Sequence, residues 1–281
     1  MRLLLPSALV LLVGGALIGF SPRADPADPD LFPPTRAEGG EVVLPLTFPD
    51  GTTAELAYPP KLALAELGVF PYSSGTLRGQ SPTPERGDVV ARDFWIRRGD
   101  VDHVLRLRND GERPKLLAEY GAAEGGTVGF WDLGADETRQ LAYQLGGWSV
   151  LVYDYEGAAA MTDAERALWA ASLTGREMPG GFLILEAREP LRLAAAGAHA
   201  GPQLTFSEST PRRELTLFPG ACSAHEDQDR VVAGKRVQRS GGFADWCLSE
   251  SLRIHAGGSR NFLGALIREL EVRDVSFAAN P

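Results

Sequence analysis

The run Trp148 to Tyr155 most constrains the fold, because it is apolar at almost every position until Asp154. A strand with no polar face predicts a central position in a sheet covered on both sides. A helix then begins at a capping box formed by Thr162 and Glu165, and a second apolar run follows it. Such a succession predicts a β-α-β unit with parallel strands and a right-handed crossover. Its parts are strand 148–155, helix 162–173 and strand 181–187.

Most of the remaining pattern is typical of strands. Two alternating arms flank Pro49-Asp50-Gly51, which is a strong hairpin signal, and Pro45 in the first arm indicates an edge strand. Segment 71–87 is rich in Ser, Gly and Pro and predicts a loop. We predict an α+β or mixed α/β fold, a β-rich mixed sheet with one β-α-β unit. Its further strands are 89–97, 101–108, 213–218, 230–238, 243–255 and 272–277, and its C-terminal helix is 261–270.

Within predicted strand 101–108, alternation places His103 on the same face as Val101 and Leu105. That face is expected to point toward the core. A histidine at a core margin is more often satisfied by a partner than used as a ligand or base. We therefore expect a structural role for His103.

The N-terminus predicts export. Residues 3–20 are almost purely apolar and follow a single charged side chain, Arg2, which is typical of a signal peptide or signal anchor. A Pro- and Asp-rich spacer, 21–40, comes next. We expect an extracytoplasmic globular domain over 41–281, with a weak boundary at 194–203. The protein would be secreted, or anchored by an N-terminal transmembrane segment, with membrane contact only through residues 3–20.

The charge of the chain argues against nucleic acid as a partner. The formal net charge is -9, and removing residues 1–24 takes away two arginines and no acid, leaving -11. An acidic surface repels phosphate backbones and anionic lipid. Because 25 of the 28 basic residues are arginines, the whole chain is biased toward arginine. A single arginine in the sequence therefore does not by itself indicate a binding site.

The two cysteines, Cys222 and Cys247, fit an oxidising compartment, where such a pair usually forms a disulfide. A zinc site is the weaker alternative, since His225 follows Cys222 by three residues and His255 follows Cys247 by eight. The second spacing is wider than zinc fingers use. We favour the disulfide and expect no metal or other cofactor.

The sequence carries none of the common hydrolase, metalloprotease or nucleotide-binding motifs. The best catalytic candidates are carboxylates at predicted strand ends, where ligands of parallel sheets gather. Asp154 and Glu156 end one strand, and Glu186 with Glu189 ends the next. They could act as an acid and base pair or hold a divalent cation. The plainer interpretation is that they are solvated acids paired with nearby arginines.

Aromatic side chains are a further candidate surface. Trp95, Trp131, Trp148, Tyr153 and Tyr155 could line a groove for a sugar or peptide. Aromatic residues in strand-like runs are more often core residues. Only Trp131 lies between predicted loops, so we expect it to be the most exposed.

Five segments carry a resemblance to a protein class: PYSSGTL, RDFWIRRG, GFWDLG, GGWSVLVYDYE and MTDAERALWAASLTG. They resemble segments of exported actinobacterial proteins of unknown function, over residues 41 to 190. The resemblance implies no activity and no catalytic residues. The sequence thus favours a non-enzymatic envelope domain that binds a protein or envelope component. The alternative is an envelope hydrolase that uses the carboxylate cluster.

Overall fold

A computed structural model describes residues 33–67, 72–79, 90–134, 139–154, 160–198, 201–207, 213–222 and 230–278. The residues predicted as export signal lie outside these ranges. Within them the chain is mostly β, with three α-helices and two short 3-10 turns, 60–62 and 64–67. The α-helices are α1 Val101–Arg108, α2 Asp163–Ser172 and α3 Arg260–Glu269. The strands are β1 Arg36–Glu38, β2 Glu41–Thr47, β3 Thr53–Tyr58, β4 Tyr72–Gly79, β5 Val90–Arg98, β6 Lys115–Gly121, β7 Thr127–Asp132, β8 Arg139–Leu145, β9 Trp148–Asp154, β10 Leu173–Glu177, β11 Leu183–Ala187, β12 Leu191–Leu193, β13 Gln203–Ser207, β14 Glu214–Pro219, β15 Arg230–Val232, β16 Lys235–Ser240, β17 Phe243–Ser249, β18 Leu252–Gly257 and β19 Glu271–Ser276.

One large sheet organises the molecule. Its strand order is β15-β16-β17-β18-β14-β13-β4-β5-β9-β8-β7-β6, and β12 pairs with β4 beside β13. A second sheet has the order β1-β2-β3-β19, and β10 with β11 forms a separate hairpin. Every strand pair among the described residues is antiparallel. The prediction of a β-rich fold is confirmed, and its parallel component is not.

The predicted β-α-β unit is not confirmed, although its helix is. Strand β9 lies between β5 and β8 in the large sheet, whereas β11 pairs with β10. The sequence prediction continued the helix to residue 173 and so missed β10, which begins there. The turn at 178–181 then returns the chain as an antiparallel hairpin rather than as a crossover.

The large sheet has an inner face that carries most of the core. Over β13 to β18 this face packs against the second sheet and α3, and over β4 to β9 it packs against α2 and the β10–β11 hairpin. The opposite face is called the outer face below. Helix α1 covers part of it, with Val104 and Leu105 against Leu151 and Ala142. Strand β9 is thus covered on both sides, which explains its continuous apolar run.

The predicted strand 101–108 is wrong, because these residues form helix α1. The Asp100 side chain accepts a hydrogen bond from the His103 backbone N–H at 2.9 Å, and Val104 N–H bonds to Asp100 O. This N-cap stabilises the helix, although the same residues alternate as they would in a strand. His103 is exposed rather than at the core margin.

Strand β4 lies within the segment predicted to be a loop. Its glycines lower strand propensity but admit large neighbours. A Cβ on Gly75 would lie 2.9 Å from the Phe94 ring, and one on Gly79 would lie 2.9 Å from Leu191 and 3.0 Å from the Trp169 ring. Tertiary packing of these side chains therefore outweighs the local loop signal.

The N-terminal hairpin and the C-terminal helix follow the sequence closely, whereas the predicted strand 230–238 is wrong, because the chain turns at 233–234 and forms two paired strands, β15 and β16. Strands β2 and β3 form the predicted hairpin, in which Asp50 accepts from Thr52 N–H at 3.0 Å. The prediction that Pro45 lies in an edge strand is wrong, because β2 lies between β1 and β3. Pro45 itself lies past the residues of β2 that pair with β1, so it interrupts no hydrogen bond to that strand. Helix α3 begins at the Ser259 cap. In the described part of the chain, no helix is long and apolar enough to cross a membrane.

Candidate functional site

Asp154, the first of the carboxylates singled out in the sequence, lies in the protein interior. Its side chain is fully buried at the end of β9. Oδ1 accepts from the Met161 backbone N–H at 2.6 Å, and Oδ2 accepts from Arg166 at 2.7 and 2.9 Å. The Arg92 Nε lies 3.8 Å from Oδ1. Both carboxylate oxygens are therefore engaged, and this acid links β9 to α2.

Helix α2 holds the Arg166 side of this ion pair in place. The capping box predicted at Thr162 and Glu165 is present, with Thr162 N–H donating to Glu165 Oε2 at 2.6 Å. The Arg166 guanidinium also lies 4.0 Å from the centre of the Phe130 ring. Both oxygens of the Asp154 carboxylate accept hydrogen bonds from the protein, and the side chain is shielded from solvent. It is suited to positioning an element rather than to proton transfer.

The other predicted carboxylates do not join Asp154 among the described residues. Glu186 is half exposed on the β10–β11 hairpin and lies 3.4 Å from Arg176 Nε. Glu189 pairs with Arg192, and Glu156 lies outside the described residues. In the part of the chain that the structure describes, no group of three or more His, Cys, Asp or Glu side chains could hold a metal ion.

The two cysteines form a disulfide, with their Cα atoms 5.8 Å apart. It connects the segment after β14 to strand β17. Because the sulfurs are bonded to each other, neither is a thiolate that could bind zinc. His225 lies outside the described residues, and His255 instead contacts two carboxylates.

His255 occupies the centre of a cluster that the sequence interpretation missed. It lies on the outer face of β18, directly opposite Asp245 of β17 and Thr216 of β14. Its Nδ1 lies 3.0 Å from Asp245 Oδ1, and its Nε2 lies 3.7 Å from Glu214 Oε1. The hydrogen bond to Asp245, followed by the contact with Glu214, raises the pKa of His255 to about 9. The imidazolium form therefore predominates at neutral pH, so this side chain is a cation and not a general base.

Aromatic rings surround this ion cluster. Phe243 stacks on His255 with ring centroids 5.3 Å apart, and it remains 44% exposed. Gly257 makes the stack possible, because a Cβ there would lie 2.9 Å from the Phe243 ring. Nearby, the Arg253 guanidinium lies 4.4 Å from the Phe218 ring centroid. We call this surface the outer-face patch; its members are Glu214, Phe218, Phe243, Asp245, Arg253 and His255.

A register argument could have found the patch from the sequence. Strand 243–255 was predicted as one element, but the polar Ser249-Glu250-Ser251 turns the chain. A hairpin about this turn sets Asp245 opposite His255 and Phe243 opposite Gly257. Glu214 required knowledge of which strand lies next to β18, and no local pattern supplies that.

The predicted aromatic groove is not assembled as one surface. Trp148 is buried in the inner core, and Trp131 is half-buried with its indole folded over Gly129. Trp95, Trp131 and Tyr153 do share the outer face beside α1, where Trp95 and Trp131 pack against the same cluster as Val104 and Leu105. Arg108 of α1 sits 4.9 Å from the ring centroids of Trp95 and Tyr153. Tyr155 lies outside the described residues.

Comparison with protein-family models, with curated proteins and with solved structures finds no match to this chain.

Proposed function

We propose that this protein is an exported or membrane-anchored cell-envelope protein whose globular part is a non-enzymatic binding domain. Residues 3–20 would direct export, and the outer-face patch would contact a protein partner of the envelope. The observation that carries the proposal is the patch itself. On three adjacent strands it combines an exposed phenylalanine stacked on a histidine, an arginine stacked on a second phenylalanine, and two carboxylates.

The chemistry of the patch fits protein recognition. Aromatic and arginine side chains are enriched where binding energy concentrates, and charged neighbours set specificity. Adjacent strands hold these side chains rigidly, so little conformational entropy is lost on binding. The competing hypothesis, an envelope hydrolase using Asp154, Glu156 and Glu186, is weakened because Asp154 is saturated by buried partners.

Export is proposed from the N-terminal sequence and fits the disulfide. Disulfides persist outside the cytoplasm, and Cys222–Cys247 closes a loop with a sequence separation of 25. The test is N-terminal sequencing of the protein recovered from membrane and medium fractions. Protein in either fraction supports export, with an intact N-terminus indicating an anchor; protein confined to the cytoplasm would refute it.

The binding role is tested by pull-down from native envelope with two matched variants. Phe243 and Phe277 are 44% and 47% exposed, and Phe277 follows β19 of the second sheet, which packs against the inner face of the large sheet rather than its outer face. We expect Phe243→Ser to reduce recovery of the same protein at least fivefold and Phe277→Ser to leave it unchanged. Equal recovery with both variants would exclude the patch as the interface.

A further inference from the structure

Two arginines stand directly opposite each other on the outer face. Strand β12 pairs antiparallel with β4, and its register sets Arg192 against Arg78. Their neighbours Leu191 and Leu77 are buried in the inner core, so alternation directs both arginines outward. Both arginines are exposed.

This pairing is unfavourable without a partner. Directly opposed residues of an antiparallel pair have Cβ atoms about 5 Å apart, and like charges there are destabilising. Glu189 offsets part of the charge, because it accepts a hydrogen bond from Arg192 Nε at 3.1 Å. Among the described residues that line this place, two guanidinium groups against one carboxylate leave a local positive charge, in a chain whose formal net charge is -9.

A cleft of about 340 Å³ opens at the same place. Arg78, Arg192 and Glu189 line it, together with Pro190, Leu193 and Ala194. Its volume lies at the lower end of the range that small-molecule sites occupy. The other side chains that line the cleft are mostly small and apolar, so the two guanidinium groups are its principal side-chain hydrogen-bond donors.

We propose that this cleft binds a phosphate group, as inorganic phosphate or as the diester of an anionic envelope polymer. A diester has two free oxygens. Arg78 offers its guanidinium fork to one of them, and Arg192, whose Nε and Nη2 donate to Glu189, offers its remaining Nη1 N–H groups to the other. The bound anion would offset the repulsion between them. The assignment to an envelope polymer rests on the proposed export; the phosphate site itself does not.

The test is calorimetric titration of the exported protein with inorganic phosphate and, separately, with poly(glycerol phosphate). We expect saturable binding of at least one probe, weakened at least tenfold in Arg78→Gln and in Arg192→Gln. The control is Arg106→Gln on α1, an exposed arginine paired with Asp102, which should bind within twofold of the wild type. If both probes bind, free phosphate is sufficient for recognition by the cleft. If only the polymer binds, the cleft requires a phosphate diester.

Two results would overturn the site: no saturable binding of either probe, or equal weakening in the Arg106→Gln control. Thermal unfolding without ligand adds an independent readout, because relief of repulsion should leave Arg78→Gln as stable as the wild type or more so. A clear loss of melting temperature would contradict the repulsive pair. These outcomes are separate from the Phe243 pull-down, so either the phosphate site or the proposed function can fail alone.

Discussion

Gln140 and Gln144 lie four residues apart in β8 and differ in how their amides are satisfied. Gln140 is 0% exposed, and neither its Nε2 nor its Oε1 has a hydrogen-bond partner within the described residues. Gln144 accepts from Val101 N–H at 2.9 Å and donates to Gly146 O and Trp148 O at 2.8 and 3.2 Å. The second amide therefore anchors the start of α1 to the sheet, whereas the first is desolvated and receives no hydrogen bond from any described residue.

We expect Gln140→Met to leave the free energy of unfolding unchanged or to raise it by about 1 kcal/mol, because it removes an unpaired buried amide. Gln144→Met, the matched substitution, should lower it by about 1 to 2 kcal/mol. Urea unfolding of both variants measures the difference. Equal losses would mean that Gln140 has a partner.

His255 makes stability depend on pH. Its pKa is about 9 when folded, raised above the ordinary value of 6.5 by Asp245 and then Glu214. The protonated form is favoured by folding, so this contribution is complete below pH 6.5 and is lost as pH rises through 9. The side chain is 32% exposed, so solvent screening reduces it to about 1 kcal/mol.

Unfolding of His255→Gln at pH 6 and at pH 10 tests this. We expect the variant to be less stable than the wild type by about 1 kcal/mol at pH 6, with the deficit vanishing by pH 10. A deficit of equal size at both pH values would show that the imidazole acts by packing alone.

At the scale of elements, the buried ion pair of Asp154 fixes α2 against the sheet. Asp154→Asn keeps the shape but removes the charge between Arg92 and Arg166. Leaving buried arginines uncompensated should lower the free energy of unfolding by about 3 kcal/mol. The exposed control, Glu186→Gln, should change it by less than about 0.5 kcal/mol. A small loss for Asp154→Asn would reopen a catalytic interpretation of this acid.

Some secondary-structure elements could be predicted from the sequence, and others could not. Helix α2 and the β2–β3 hairpin were predictable because a capping box and an Asp-Gly turn act locally. Helix α1 was not, since VDHVLRLR fits both an alternating strand and an amphipathic turn, and only the Asp100 cap decides between them. The same limit applies to the site: each member of the outer-face patch is visible in the sequence, but the adjacency of β14 and β18 is not.

At the scale of the whole molecule, the two faces of one broad antiparallel sheet have different roles. Its inner face is committed to the core against the second sheet, α3, α2 and the β10–β11 hairpin. Its outer face is covered by α1 only near β8 and β9, and it carries both the outer-face patch and the Arg78–Arg192 pair. A continuous apolar run such as that of β9 indicates that both faces of the strand are covered, but it does not indicate the direction of the neighbouring strands. A parallel unit was therefore predicted where the strands are antiparallel. The outer face is where we expect partners to bind.

Site-specific photocrosslinking in the exported protein tests the binding role most directly. A benzoyl-phenylalanine at position 243 lies in the outer-face patch, and the same group at position 277 has nearly equal exposure elsewhere. We predict a discrete covalent adduct with one envelope protein from position 243 and none from position 277. The absence of an adduct at 243, or the same adducts from both positions, would contradict the proposal that the outer face is a binding surface.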